Sequence, residues 1–147
     1  MRYLCDTNIL VHYIRKSEKF DQLSLRYGFF SNDNQIFLSI ISIGEIQSLA
    51  YQLNWGPDRR LQLQKFIENI SLLEIYEEVV TAYAQIDAYS QGKLKRKPLP
   101  LGLSARNMGK NDVWLAATAH AFDLAFVTTD SDFDHLNGVF LTLVKAG

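Results

Sequence analysis

Four carboxylates stand at equivalent places along this chain: Asp6, Glu45, Asp112 and Asp130. Each falls where a short apolar run ends or where a helical pattern begins. In open α/β sheets the crevice outside the carboxyl ends of the strands is where ligands bind, so acids far apart in sequence can converge there. Carboxylates brought that close repel one another, and their pKa values rise unless a cation compensates. With oxygen donors alone, a hard divalent ion such as Mg²⁺ or Mn²⁺ suits such a pocket better than zinc. An ion of that kind lowers the pKa of a bound water and stabilises charge on an attacked phosphorus. The chemistry that fits is phosphodiester hydrolysis.

Each acid also has a purely structural use. Glu45 completes a capping box in Ser42-Ile43-Gly44-Glu45, and Asp112 suits the positive end of its helix. Asp130 can be a turn residue after a strand, and Asp6 can cap the helix that follows it. The joint placement therefore carries the inference. Asp132 and Asp134 lie close to Asp130 and compete with it for the fourth place. The Asp130-x-Asp132-x-Asp134 spacing matches the start of a calcium loop, but an EF-hand needs glycine and glutamate where this chain has His135 and Leu141. Histidines 12, 120 and 135 lack zinc-site spacing, and His120 reads as a packed or surface residue. A phosphatase using Asp6 as nucleophile would want a second aspartate two residues on, where Asn8 stands.

The elements that must position these acids follow from periodicity. Short apolar runs at 2–5, 35–40, 72–75, 125–128 and 139–143 are expected to be strands. They alternate with helical patterns at 7–15, from Ser42, after Pro57, over 77–91 and from near Asn111. That alternation predicts a single α/β domain over 1–147, an α/β/α sandwich around a largely parallel five-stranded sheet. Fifteen basic against sixteen acidic residues leave a formal net charge of −1, so any nucleic-acid binding must be local. The stretch from Gly92 to Lys110 is the local candidate, since it holds Lys93, Lys95, Arg96, Lys97, Arg106 and Lys110 and no acid. Cys5, the single cysteine, excludes a disulfide framework and reads as a small core residue. With no apolar run of signal or membrane-span length, the chain is read as cytoplasmic with no membrane partner.

Four segments together resemble the PIN-domain nucleases, and within them the VapC-type toxins of type II toxin–antitoxin pairs. They are Leu4-Cys5-Asp6-Thr7-Asn8, Ser42-Ile43-Gly44-Glu45, the run from Met108 to Ala119, and the run from Phe126 to Phe133. The resemblance covers the whole chain in the right order. It implies an endoribonuclease using Mg²⁺ or Mn²⁺ on RNA, held inactive by a cognate antitoxin and forming a homodimer. It carries the acidic roles onto Asp6, Glu45, Asp112 and Asp130, with Asp132 or Asp134 as a further contributor. By the same mapping Thr7, Asn8 and Thr128 support the carboxylates. The basic loop is then expected to hold RNA phosphates, with Tyr89 a candidate to stack a base. A solvated loop, a dimer contact and antitoxin docking are its other open uses. A non-catalytic RNA-binding or protein-interaction module on the same fold is the competing expectation.

Overall fold

The structure, a computed structural model, describes residues 1–15, 31 and 33–145. Strand β1 (Arg2–Cys5) lies at the centre of a five-stranded sheet. To one side are β2 (Gln35–Ser39) and β3 (Ser71–Leu73), and to the other β4 (Ala125–Thr128) and β5 (Leu143–Lys145). Every pairing is parallel, with Leu4 opposite Phe37 on one side and Phe126 on the other. The strand order β3-β2-β1-β4-β5 reverses direction between β1 and β4. Their carboxyl ends therefore border the crevice where ligands bind in such sheets.

Strand side chains alternate, and each face is apolar. Tyr3, Cys5, Ile36, Leu38, Ala125 and Val127 join one core. It is covered by α1 (Thr7–Ile14), α2 (Ile40–Gln52) and α3 (Pro57–Glu68) through Ile9, Leu10, Ile46, Ala50 and Phe66. Leu4, Phe37 and Phe126 turn to the opposite core, against α4 (Glu77–Ser90) and α5 (Lys110–Ala121). This is the expected α/β/α sandwich. Helix α5 is buried nearly all round, at Val113 and from Leu115 to Ala119, and its alanines let it seat close to both sheet and α4. Trp114 fills the remaining side against Tyr83, with ring centroids 4.1 Å apart. Phe126 is fully buried, and truncation to alanine there costs about 3–5 kcal/mol.

Helix α4 stops where a left-handed residue is needed. Gly92 has φ 72°, its N–H donates to Tyr89 O, and Lys93 N–H donates back to Ala88 O. This paired arrangement satisfies two orphan carbonyls and favours glycine at that position. Residues 91–109 then run without helix or strand, as the sequence suggests, although Lys110 already belongs to α5.

Three expectations need correction. The fifth strand is Leu143–Lys145 and not 139–143. Val139, Phe140 and Leu141 all donate to Leu136 O in a turn, and Phe140 and Leu141 are apolar because they are buried on the α4–α5 side. The capping box at Ser42 does not form. Ser39 caps α2 instead, its hydroxyl accepting from Ile41 N at 3.1 Å, so helix begins at Ile40 and Ser42 lies inside it. The third strand covers Ser71–Leu73, and Ile75 packs beyond it on the second core. Cys5 is buried as expected, and burial followed by the Asp6 charge pushes its thiol up to about 12, so it stays protonated. Among the described residues no helix is long and apolar enough to cross a membrane.

Candidate active site

Asp6 follows β1 directly and extends the sheet ladder by one bond, its N–H donating to Val127 O at 2.9 Å. Its side chain is 5 % exposed. Oδ1 accepts from Thr7 N and Oδ2 accepts from the Thr128 hydroxyl, each at 2.7 Å. Burial pushes this carboxyl up to about 6, the charges of Asp112 and Glu45 add to the rise, and the two hydrogen bonds oppose it. Thr128, at the end of β4, also accepts from Asp130 N at 3.0 Å. One fully buried hydroxyl thus ties the ends of the two central strands together.

Asp130 does serve as a turn residue. Its Oδ1 accepts from Asp132 N at 2.9 Å and caps a 3₁₀ helix over Ser131–Leu136. The same carboxylate belongs to a cluster. Oxygens of Asp112, Asp130 and Asp132 all lie within 4.8 Å of one another. Asp134 is turned elsewhere, into an ion pair with Lys145 at 2.9 Å. Asp132 is thereby the second acid of the Asp-x-Asp-x-Asp run that reaches the site, and Asp134 is not.

Asp112 sits in the first turn of α5, half-buried, as its position in the sequence suggests. Its carboxyl rises to about 6, first from burial and then from the charges of Asp130, Glu45 and Asp132. It is the shared neighbour of the constellation. Glu45 comes from α2, where Oε1 accepts from the Thr7 hydroxyl at 2.7 Å in place of any capping bond. All four expected acids, with Asp132, therefore form one electrostatically linked group. Thr7 and Thr128 hold the carboxylates by direct hydrogen bonds, and the buried Asn8 Oδ1 has no donor.

The donor set fits a hard cation. Oxygens on opposite sides of such an ion, at bond lengths of 2.0–2.6 Å, are about 4–5 Å apart, which matches the spread of the three aspartates. Two carboxyls are raised to about 6, first by burial and then by the charges of neighbouring acids, and a divalent ion would relieve that repulsion.

The basic loop does not present a single cationic face to these acids. Lys110 opens α5 two residues before Asp112. Lys93 and Arg106 share a shallow cavity with Gln91 and Asn107, and the Arg106 charge reaches His135. Arg96 and Lys97 line a different cleft beside His120 and Phe140, with Lys97 Nζ 4.7 Å above the Phe140 ring. That cleft is reached at the far end of α5. Lys93, Lys95, Arg96 and Lys97 are all exposed. Tyr89 cannot stack an incoming base. It is 1 % exposed, packed parallel to His135 and edge-on to Phe140, because the last turn of α4 faces the core. His120 is a packed residue, its Nδ1 2.6 Å from Phe140 O. The residue that sequence reasoning missed is Ser42, whose fully buried hydroxyl lies 2.9 Å from that of Thr7. Its signal was the Ser-x-x-Glu spacing, which places both residues on one helix face as readily as it makes a cap.

Known proteins share this architecture. A ribonuclease VapC4 from Mycobacterium tuberculosis is 29 % identical over 99 residues, which span 65 % of this chain and 67 % of that protein. The crystal structure of VapBC2 from Rickettsia felis, bound to a promoter DNA fragment, superposes with a TM-score of 0.76 over 100 % of both chains at 22 % identity. VapBC-1 from nontypeable Haemophilus influenzae gives 0.72 over 99 % of this chain and 98 % of that one, at 18 % identity. At such identities these likenesses concern the fold. The PIN domain family model matches residues 3–139, nearly the whole sheet and every acid of the cluster, so the chain belongs to the PIN-domain family.

Proposed function

We propose that the protein is an endoribonuclease that hydrolyses phosphodiester bonds in RNA with Mg²⁺ or Mn²⁺, and that it is the toxin of a VapBC-type pair. One observation carries the reading. Asp112, Asp130 and Asp132 place oxygens within the span of a single hard ion, and Asp112 also acts by its charge on the buried Asp6 carboxyl, which burial first of all raises. Asp6, Glu45, Asp112, Asp130 and Asp132 would hold the metal. When bound, it would supply an activated water and charge stabilisation at the attacked phosphorus.

The protein's own groups prepare the site. Thr128 fixes Asp6 Oδ2 and Thr7 N–H fixes Oδ1, so the carboxylate plane is set before any ligand arrives. Asp130 uses Oδ1 for its cap, and the same carboxylate contributes an oxygen to the acidic cluster. Lys110, two residues before Asp112 at the start of α5, is the basic residue we assign to a phosphate next to the one attacked. The similarity to a ribonuclease VapC4 and to VapBC complexes supports RNA as substrate and an antitoxin as partner; inhibition by that antitoxin and a homodimeric working form are what the resemblance to the VapC-type toxins implies.

The test is direct. Purified protein is incubated with single-stranded and structured RNA in Mg²⁺, in Mn²⁺ and in chelator, beside Asp6→Asn. Cleavage should need the ion and disappear in the variant while its circular dichroism spectrum stays native. Cleavage that survives the chelator, or that the variant retains in full, would sink the proposal.

A further inference from the structure

The first turn of α2 carries a hydroxyl that the capping pattern does not use. Ser39 caps the helix, and Ser42 is 0 % exposed. A serine within a helix commonly bonds back to a carbonyl one turn earlier. Ser42 instead reaches another helix, with its Oγ 2.9 Å from Thr7 Oγ1, and Thr7 Oγ1 is in turn 2.7 Å from Glu45 Oε1. Proton counting fixes the directions. A carboxylate only accepts, and a hydroxyl has one proton to give. Thr7 gives its proton to Glu45, so Ser42 must be the donor in the contact between the two hydroxyls.

We propose that Ser42 is a positioning residue of the acidic site: it donates to Thr7, holds that hydroxyl with its single proton on Glu45 Oε1, and so leaves Glu45 Oε2 as the oxygen open to the cation. The inference rests on the reading of Glu45 as a residue that holds metal. Its physical content is rotational. With its lone pair engaged by Ser42 and its proton by Glu45, the Thr7 hydroxyl has no freedom to turn. Without Ser42 it keeps one anchor, and the Glu45 carboxylate can rotate with it. Ser42 sits one helical turn before Glu45, so the helix that presents the acid also carries the group that orients it.

The experiment is a double-mutant cycle read by Mn²⁺ titration, with free ion followed by electron paramagnetic resonance. The proteins are wild type, Ser42→Ala, Thr7→Val and the double variant. Ser42→Ala and Thr7→Val should each weaken Mn²⁺ binding about tenfold, the low end for groups that orient metal ligands. The double variant should be no weaker than Thr7→Val alone, because Ser42 acts only through Thr7. Melting in chelator should move little, since alanine suits a helix interior. Ser42→Cys, with a weaker donor, should fall between wild type and Ser42→Ala. Unchanged binding in Ser42→Ala, or single effects that multiply in the double variant, overturns the inference while leaving the site reading intact. A wild-type protein that takes up no Mn²⁺ overturns the site reading and the inference with it.

Discussion

Replacing Asp112 with asparagine should make the metal-free protein more stable while ending its response to metal. The Asp112 carboxyl stands at about 6 instead of 3.8, because of burial and the charges of Asp130, Glu45 and Asp132. At about 1.4 kcal/mol per pH unit, this difference costs the ionised native state about 3 kcal/mol. The side chain is half-buried, so solvent screening cuts the figure to about 1.5 kcal/mol. The sign follows from linkage. Below pH 3.8 the carboxyl is protonated in both folded and unfolded chains and costs nothing. Between about pH 4 and 6 the unfolded chain ionises first, native stability falls, and above that the loss is constant. Asparagine escapes this loss. In chelator at pH 8 the variant should melt about 3–6 °C above wild type, and near pH 4.5 most of that gain should be gone. Added Mg²⁺ should raise the wild-type Tm, by about 2.7 kcal/mol of stability at a hundredfold excess over Kd, and leave the variant unmoved. Scanning fluorimetry over pH, with and without chelator, reads all of this. A variant less stable than wild type at pH 8 in chelator, or a gain independent of pH, would refute the electrostatic account of the site.

Three further outcomes follow from the same geometry. Thr128→Val removes the hydroxyl that donates to Asp6 and accepts from Asp130 N; it should cost about 1–3 kcal/mol of stability. Because that bond holds the Asp6 pKa down, the acidic limb of the pH–activity profile should move to higher pH, and a limb that stays put counts against the assigned role. Asp134→Asn should leave Mn²⁺ affinity at the wild-type value and change stability by less than about 1 kcal/mol, whereas Asp132→Asn should weaken binding about tenfold or more; titration of both variants decides between them. Lys110→Ala should reduce the salt dependence of RNA binding by about one phosphate contact, and Arg96→Ala, beside His120 and about 15 Å further along α5, should not. Equal slopes in the two variants would reassign the RNA path.

The architecture was legible because its strands are short, charge-poor and separated by helices with clear start and stop residues. Gly92 and Pro57 mark real helix ends for backbone reasons that a sequence displays directly. Val139-Phe140-Leu141 misled because a buried turn and a buried strand look alike in composition, and only the bonds to Leu136 O separate them. Ser42 misled for a different reason. Its spacing to Glu45 satisfies both a cap and a shared helix face, and the position of Ser39 at the strand end decides between them. Among the acids, the placement of Asp6 and Asp112 could be read from strand and helix boundaries. The choice of Asp132 over Asp134 could not, since it turns on a lysine in the last strand.

The central position of β1 has a consequence for the order of assembly. The hydroxyl that secures Asp6 belongs to a residue 122 positions further along the chain. β1 gains its second neighbour only when β4 has been made, and such distant pairings close slowly because a long loop must be ordered first. During synthesis, the acids near the start of the chain wait on the ribosome for the strand that completes their pocket. A fragment that ends before Thr128 carries Asp6 and Glu45 without the bond that fixes Asp6 Oδ2 and without Asp130 and Asp132. The acidic pocket therefore stays incomplete in a growing chain until β4 and the turn that follows it have been made.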